Sequence, residues 1–76
     1  MYWISNDAES HGSSKQVSFM CDSLTDINNL PTSQASGVQQ GEDTASYLPC
    51  AKGSSCFCIG ESSLFILNSN DVWTEV

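Results

Sequence analysis

The residues whose chemistry could organise a site are four cysteines and one histidine: Cys21, Cys50, Cys56, Cys58 and His11. Cys50, Cys56 and Cys58 form the pattern C-x5-C-x-C, and Cys21 or His11 could add a fourth ligand to a metal ion. Structural zinc sites use tighter knuckles, from C-x2-C to C-x4-C, because that turn aims both sulfurs at one ion, and neither spacing here matches. The competing reading is free thiols that pack as small hydrophobes. No cofactor is expected, and Cys21, Cys50, Cys56 and Cys58 stand as the metal candidates. His11 sits beside Gly12 and Ser13 in a polar stretch, with nothing adjacent to hold it as the base of a Cys-His pair or a Ser-His-Asp triad. Asp22 and Asp26 suit a helix start, where negative charge is favourable, and Glu42 and Asp43 sit in a second polar stretch. Gly37, Gly41, Gly53 and Gly60 are isolated and no basic residue follows them as in a phosphate loop. The expectation is a protein without catalytic activity.

That leaves the aromatic residues as the side chains with most to explain. Tyr2, Trp3 and Ile4 open the chain with an apolar run, and Trp73 follows a turn near its end. Aromatic side chains are the usual anchors of interfaces, so Tyr2, Trp3, Ile4 and Trp73 are the candidate partner-binding residues, with a core role the competing reading for Trp3 and Trp73.

These residues need a scaffold, and the last third of the chain supplies one. Segments 56–59, 64–67 and 72–76 are rich in strand formers, and Gly60-Glu61-Ser62 and Asn68-Ser69-Asn70-Asp71 between them are turn formers. The pattern predicts a three-stranded antiparallel meander. Phe57 and Ile59 share one side of the pleat, as do Leu64 and Ile66, while Phe65 lies with Leu67 and Trp73 with Glu75. Both faces of the middle strand are apolar, so both call for cover, from the rest of the chain or from a partner.

Ahead of the meander, 1–4 reads as an edge strand, 5–14 as a linker, and 15–21 as a half-buried strand with Val17, Phe19 and Cys21 inward. Segment 22–30 is the helix candidate: Ser23 with Asp26 makes an acidic capping box, Leu24, Ile27 and Leu30 make one apolar stripe, and Pro31 ends it. Segment 32–44 is polar and Gly-punctuated and reads as an exposed, mobile loop, while in 45–50 Pro49 confines any pairing to an edge. The fold class is mainly β, a small α+β arrangement: the meander, one or two N-terminal strands and one short helix, in a single domain over 1–76.

Size and charge narrow the partners. A chain of 76 residues buries only about 60% of its unfolded surface. That is a poor setting for a ligand pocket of roughly 300 Å³ or more. Two Lys and no Arg against nine Asp and Glu give a net charge of -7, so phosphate neutralisation is nearly unavailable and neither nucleic acid nor an anionic membrane is an expected partner. No run has the length of a membrane span, and the start lacks the pattern of a signal peptide, so the cytosol and reduced cysteines are the default expectation. Cys56 and Cys58, about 6.5 Å apart on one strand, could not bridge without a bulge.

The order of these elements carries a resemblance. Cys21-Asp22-Ser23 with DINNLPT, then GVQQGEDT, GSSCFCIG, LFILNSND and a closing VW, resembles small proteins and short domains in the structural-gene modules of bacteriophages and prophages of gut-type Firmicutes. It covers 20–76. The resemblance implies a virion structural role, as a head-fibre-like, capsid-decorating or tail component, without catalysis. It also implies a protein partner on the capsid or tail, or a homo-oligomer, and residence in the host bacterial cytoplasm during assembly and then in the virion. The CFC strand departs from the more aliphatic version such proteins lead one to expect, which keeps a metal-binding alternative open. A small regulatory or inhibitory protein-binding module is the other alternative.

Overall fold

The computed structural model describes residues 1–5, 15–41 and 46–76. Five strands form one sheet in chain order: β1 (Tyr2–Ile4), β2 (Ser18–Cys21), β3 (Ser55–Cys58), β4 (Ser63–Leu67) and β5 (Trp73–Glu75). The chain is mainly β, with a single short 3-10 helix, Leu24–Asn29, among its described residues. β3, β4 and β5 are the antiparallel meander that the turn chemistry predicts. Asn68 builds its second turn, its side-chain oxygen accepting the N–H groups of Asn70 at 2.9 Å and Val72 at 3.1 Å. Ser62 and Asp71 both take left-handed backbone, at φ 52° and 65°, the conformation that a tight reversal asks of a turn residue.

One connection is not a hairpin. β2 pairs with β3 in parallel, so the chain between them must return across one face of the sheet, and the described residues 22–41 and 46–54 lie on that return. This returning segment is the cover of the core. Segment 32–44, expected to be a mobile loop, is tied down over its described part: Gly37 N–H donates to the Tyr47 carbonyl at 2.8 Å and Val38 N–H to the Asn29 carbonyl at 2.8 Å. Residues 42–44 lie outside the described residues, as do 6–14 of the expected linker, with His11, Glu42 and Asp43.

The helix is shorter and tighter than the amphipathic two turns expected. Its bonds close over three residues, as in Asp26 N–H to Ser23 at 3.1 Å and Leu30 N–H to Ile27 at 3.3 Å. Thr, Asp and two Asn favour local side-chain bonding over an α-helix, and Pro31 stops propagation at once. Three residues per turn stack Leu24 and Ile27 in one row that leads to Leu30, and burial grows along it: Leu24 is exposed, Ile27 half-buried and Leu30 buried. Asp26 does reach back to the Ser23 N–H, at 3.2 Å, as the capping box requires.

The core sits between the sheet and this cover. Register places Val17, Phe19 and Cys21 of the second segment, Cys56 and Cys58 of β3 and Leu67 of β4 toward it, all buried. Phe19 is at its centre, edge-on to Tyr2 at 5.8 Å and to Trp73 at 6.1 Å between ring centroids. Leu30, Pro31 and Cys50 close it from above.

Candidate functional site

Three of the four expected partner-binding residues belong to that core. Tyr2 is fully buried, its hydroxyl donating to the Val38 carbonyl at 2.7 Å, so it anchors the cover and offers no contact surface. Ile4 packs against the same cluster. Trp73 donates its indole N–H to the Pro31 carbonyl at 2.9 Å and lies against Phe19. The physical reason is alternation: Tyr2 and Ile4 face inward with Phe19 and Cys21, and only Trp3, between them, faces outward.

Three of the four thiols share the inner face of the sheet. Cys21 and Cys58 are register partners on adjacent parallel strands, and Cys56 lies two residues along on the same face. Cys50 stands in the cover, its thiol directed at the Pro31 carbonyl at 3.8 Å. All four are fully buried and free of disulfides. Burial pushes the thiols of Cys21, Cys50 and Cys56 up from their ordinary range, which favours the protonated thiol in the folded chain. No group of three His, Cys, Asp or Glu side chains among the described residues has the geometry to hold a metal ion.

The second charged feature is Asp26. Its carboxylate takes the N-terminal amine at 2.6 Å, and Asp22 stands 3.8 Å from the same amine. Burial opposes ionisation of Asp26, but the amine and the Ser23 N–H outweigh it and hold the carboxyl below its ordinary value. The hydrogen bond that the amine donates to Asp26 raises the amine in turn, against a smaller cost of desolvation. This pair pins β1 to the helix; its chemistry is that of a clasp.

What remains is the other side of the sheet. Register sets Trp3 beside Met20, Met20 beside Phe57 and Phe57 beside Leu64, a continuous apolar row at right angles to four strands. Phe57 is 38% and Leu64 40% exposed, and Ile59, at the end of β3, is 48% exposed. Val76 extends the row, its N–H bonded to the Leu64 carbonyl at 2.8 Å. A parallel second row holds Ser18, Ser55, Ile66 and Thr74. None of these outward strand residues is charged. An open sheet face normally alternates to polar side chains, so this row departs from the rule. The helix and the segment beyond it cover the inner face, and no described element lies across the outer one.

The chain was compared with protein families, with characterised proteins and with solved structures, and it matches none.

Proposed function

We propose that this protein is a non-enzymatic binding module of the virion-structural kind, which docks the outer face of its sheet on a larger capsid or tail protein. The observation that carries the reading is the row Trp3, Met20, Phe57 and Leu64, laid in register across β1 to β4 on the face that no described element crosses, with Trp3 and Met20 half-buried and Phe57 and Leu64 exposed. Both faces of β4 are apolar, and the fold spends its cover on one of them. An apolar patch of this kind on a small domain marks an interaction site. The virion setting rests on the resemblance of 20–76 to phage structural proteins.

The reading is tested in particles purified from the phage or prophage that carries the gene. Peptides of the chain should be present at a fixed ratio to the major capsid or tail protein. A Phe57→Ser, Leu64→Ser double variant should fold, by an unchanged far-ultraviolet spectrum, and be missing from the particles. Absence of the wild-type chain from particles, or equal incorporation of the variant, refutes the reading.

A further inference from the structure

The ends of the sheet differ in charge. β2 and β3 finish at the same end, where Asp22 follows Cys21 and Glu61 lies in the turn after Ile59. Asp22 stays 62% exposed even beside the N-terminal amine, and Glu61 is exposed. The two lysines lie at the opposite end, before β2 and β3 begin: the Lys15 carbonyl accepts the Ala51 N–H at 2.7 Å, and the Gln16 side-chain amide reaches the Lys52 carbonyl at 3.3 Å. The apolar row therefore has carboxylates along one flank and, along the other, the serine and threonine hydroxyls of the second row.

From this arrangement we infer that the outer face takes a basic amphipathic helix of a partner protein, its apolar stripe on Trp3, Met20, Phe57 and Leu64 and its Lys or Arg side chains over Asp22 and Glu61. The inference rests on the reading of this face as a docking surface and adds the chemistry of the occupant. Strand spacing puts about 14 Å between Trp3 and Leu64, which is nine or ten residues of helix at about 1.5 Å each, long enough for contacts at i, i+3 or i+4 and i+7. A second copy of the chain fits less well. Five strands of three to five residues give a face of roughly 300 Å², against about 800 Å² per partner in a stable complex of standard size. Two copies would also bring together chains that each carry a net charge of -7, whereas a basic helix meets that charge with its opposite.

The test uses the full chain, labelled with nitrogen-15, and three synthetic peptides of fourteen residues: leucine and lysine in amphipathic helical order, leucine and glutamate in that order, and the leucine–lysine composition scrambled. The ordered lysine peptide should shift the amides of Trp3, Met20, Phe57 and Leu64 and the Trp3 indole. Affinity should be at least tenfold weaker for either other peptide. Phe57→Ser, and separately the pair Asp22→Asn with Glu61→Gln, should each weaken it about tenfold while the remaining amide spectrum keeps its folded dispersion. Equal binding of the three peptides, no binding, shifts confined to the sheet edges, or a sedimenting dimer that Phe57→Ser dissolves would each overturn the inference. Particle incorporation separates the two claims: a chain found in virions that ignores the lysine peptide keeps the docking role and loses the helical occupant.

Discussion

Phe19 and Phe57 lie on neighbouring strands of one sheet and on opposite faces of it, and they should answer the same substitution differently. A slip of one residue in register would exchange the two faces, and the apolar content of both makes such a slip imaginable from pattern alone. In the register observed, Phe19 is 1% exposed and holds two edge-to-face ring contacts, at 5.8 Å and 6.1 Å. Replacing it with Leu forfeits both contacts, about 0.5–1.5 kcal/mol each, and adds up to about 1.5 kcal/mol for imperfect repacking. The expected cost of Phe19→Leu is therefore about 1–4.5 kcal/mol. Phe57 faces Leu64 across the outer surface and is 38% exposed, so Phe57→Leu should cost about 0.5 kcal/mol or less. A domain of 76 residues has on the order of 4–11 kcal/mol in hand, so both variants should fold well enough to measure. Urea unfolding followed by fluorescence gives each value as a shift in midpoint at constant slope. Equal costs, or a larger cost at Phe57, would mean that the core lies on the other face and would refute the assignment of the docking row.

Three further outcomes follow from the clasp, the thiols and the cover. Asp26 is held below its unfolded value and the N-terminal amine above its own, so the carboxylate's share is lost as pH falls below about 4, and the amine's as pH rises through its folded value, above about 8. Stability should form a plateau between these limits, and Asp26→Asn should flatten it at a cost of about 1 kcal/mol, since the amine is largely solvated; a pH profile unchanged by the substitution would contradict the pairing. All four cysteines, fully buried, should react with a disulfide reagent only as fast as the domain opens, and at once in denaturant; a thiol modified rapidly in the native protein would contradict the packing. Gly37→Ala would drive a Cβ against the Asn29 carbonyl, the Pro31 nitrogen at 2.7 Å and the Tyr2 hydroxyl at 2.7 Å. It should cost about 1–3 kcal/mol by thermal melting, where a mobile loop would be indifferent.

The meander and its faces were legible because period-2 alternation and turn residues are local signals: Cys56 and Cys58 against Phe57 and Ile59, Asn68 to Asp71 between strands. The inward set of Val17, Phe19 and Cys21 was legible for the same reason. Three things were not. The parallel pairing of β2 with β3 depends on contacts across the whole of 22–54, which no window contains. The role of 32–41 was hidden because its bonds are made by backbone carbonyls of Asn29 and Tyr47, and polar composition reads as solvent exposure. The burial of Tyr2 needed Phe19 beside it, which no local pattern gives, whereas a core role for Trp73 already followed from its place in a strand after a turn. The outer apolar row was half visible: Phe57 with Ile59 and Leu64 with Ile66 share sides in the sequence pattern, but Trp3 and Met20 join them only through the sheet order.

The parallel step between β2 and β3 bears on how quickly this small chain can find its fold. The meander can close on itself through two short turns, in the microsecond range of a hairpin, and it already contains Phe57 and Leu64 of the outer apolar row. Its inner face stays wet until β2 arrives, and β2 can pair only after 22–54 has been brought into a closed loop. The loop-closure entropy of that segment is met before Tyr2, Phe19 and Trp73 touch. Contact order is thus concentrated in a single event, and the rate-limiting barrier should lie there. Lengthening 22–54 would then be felt mildly, about 0.6 kcal/mol for each doubling, provided that the bonds of Gly37 and Val38 survive.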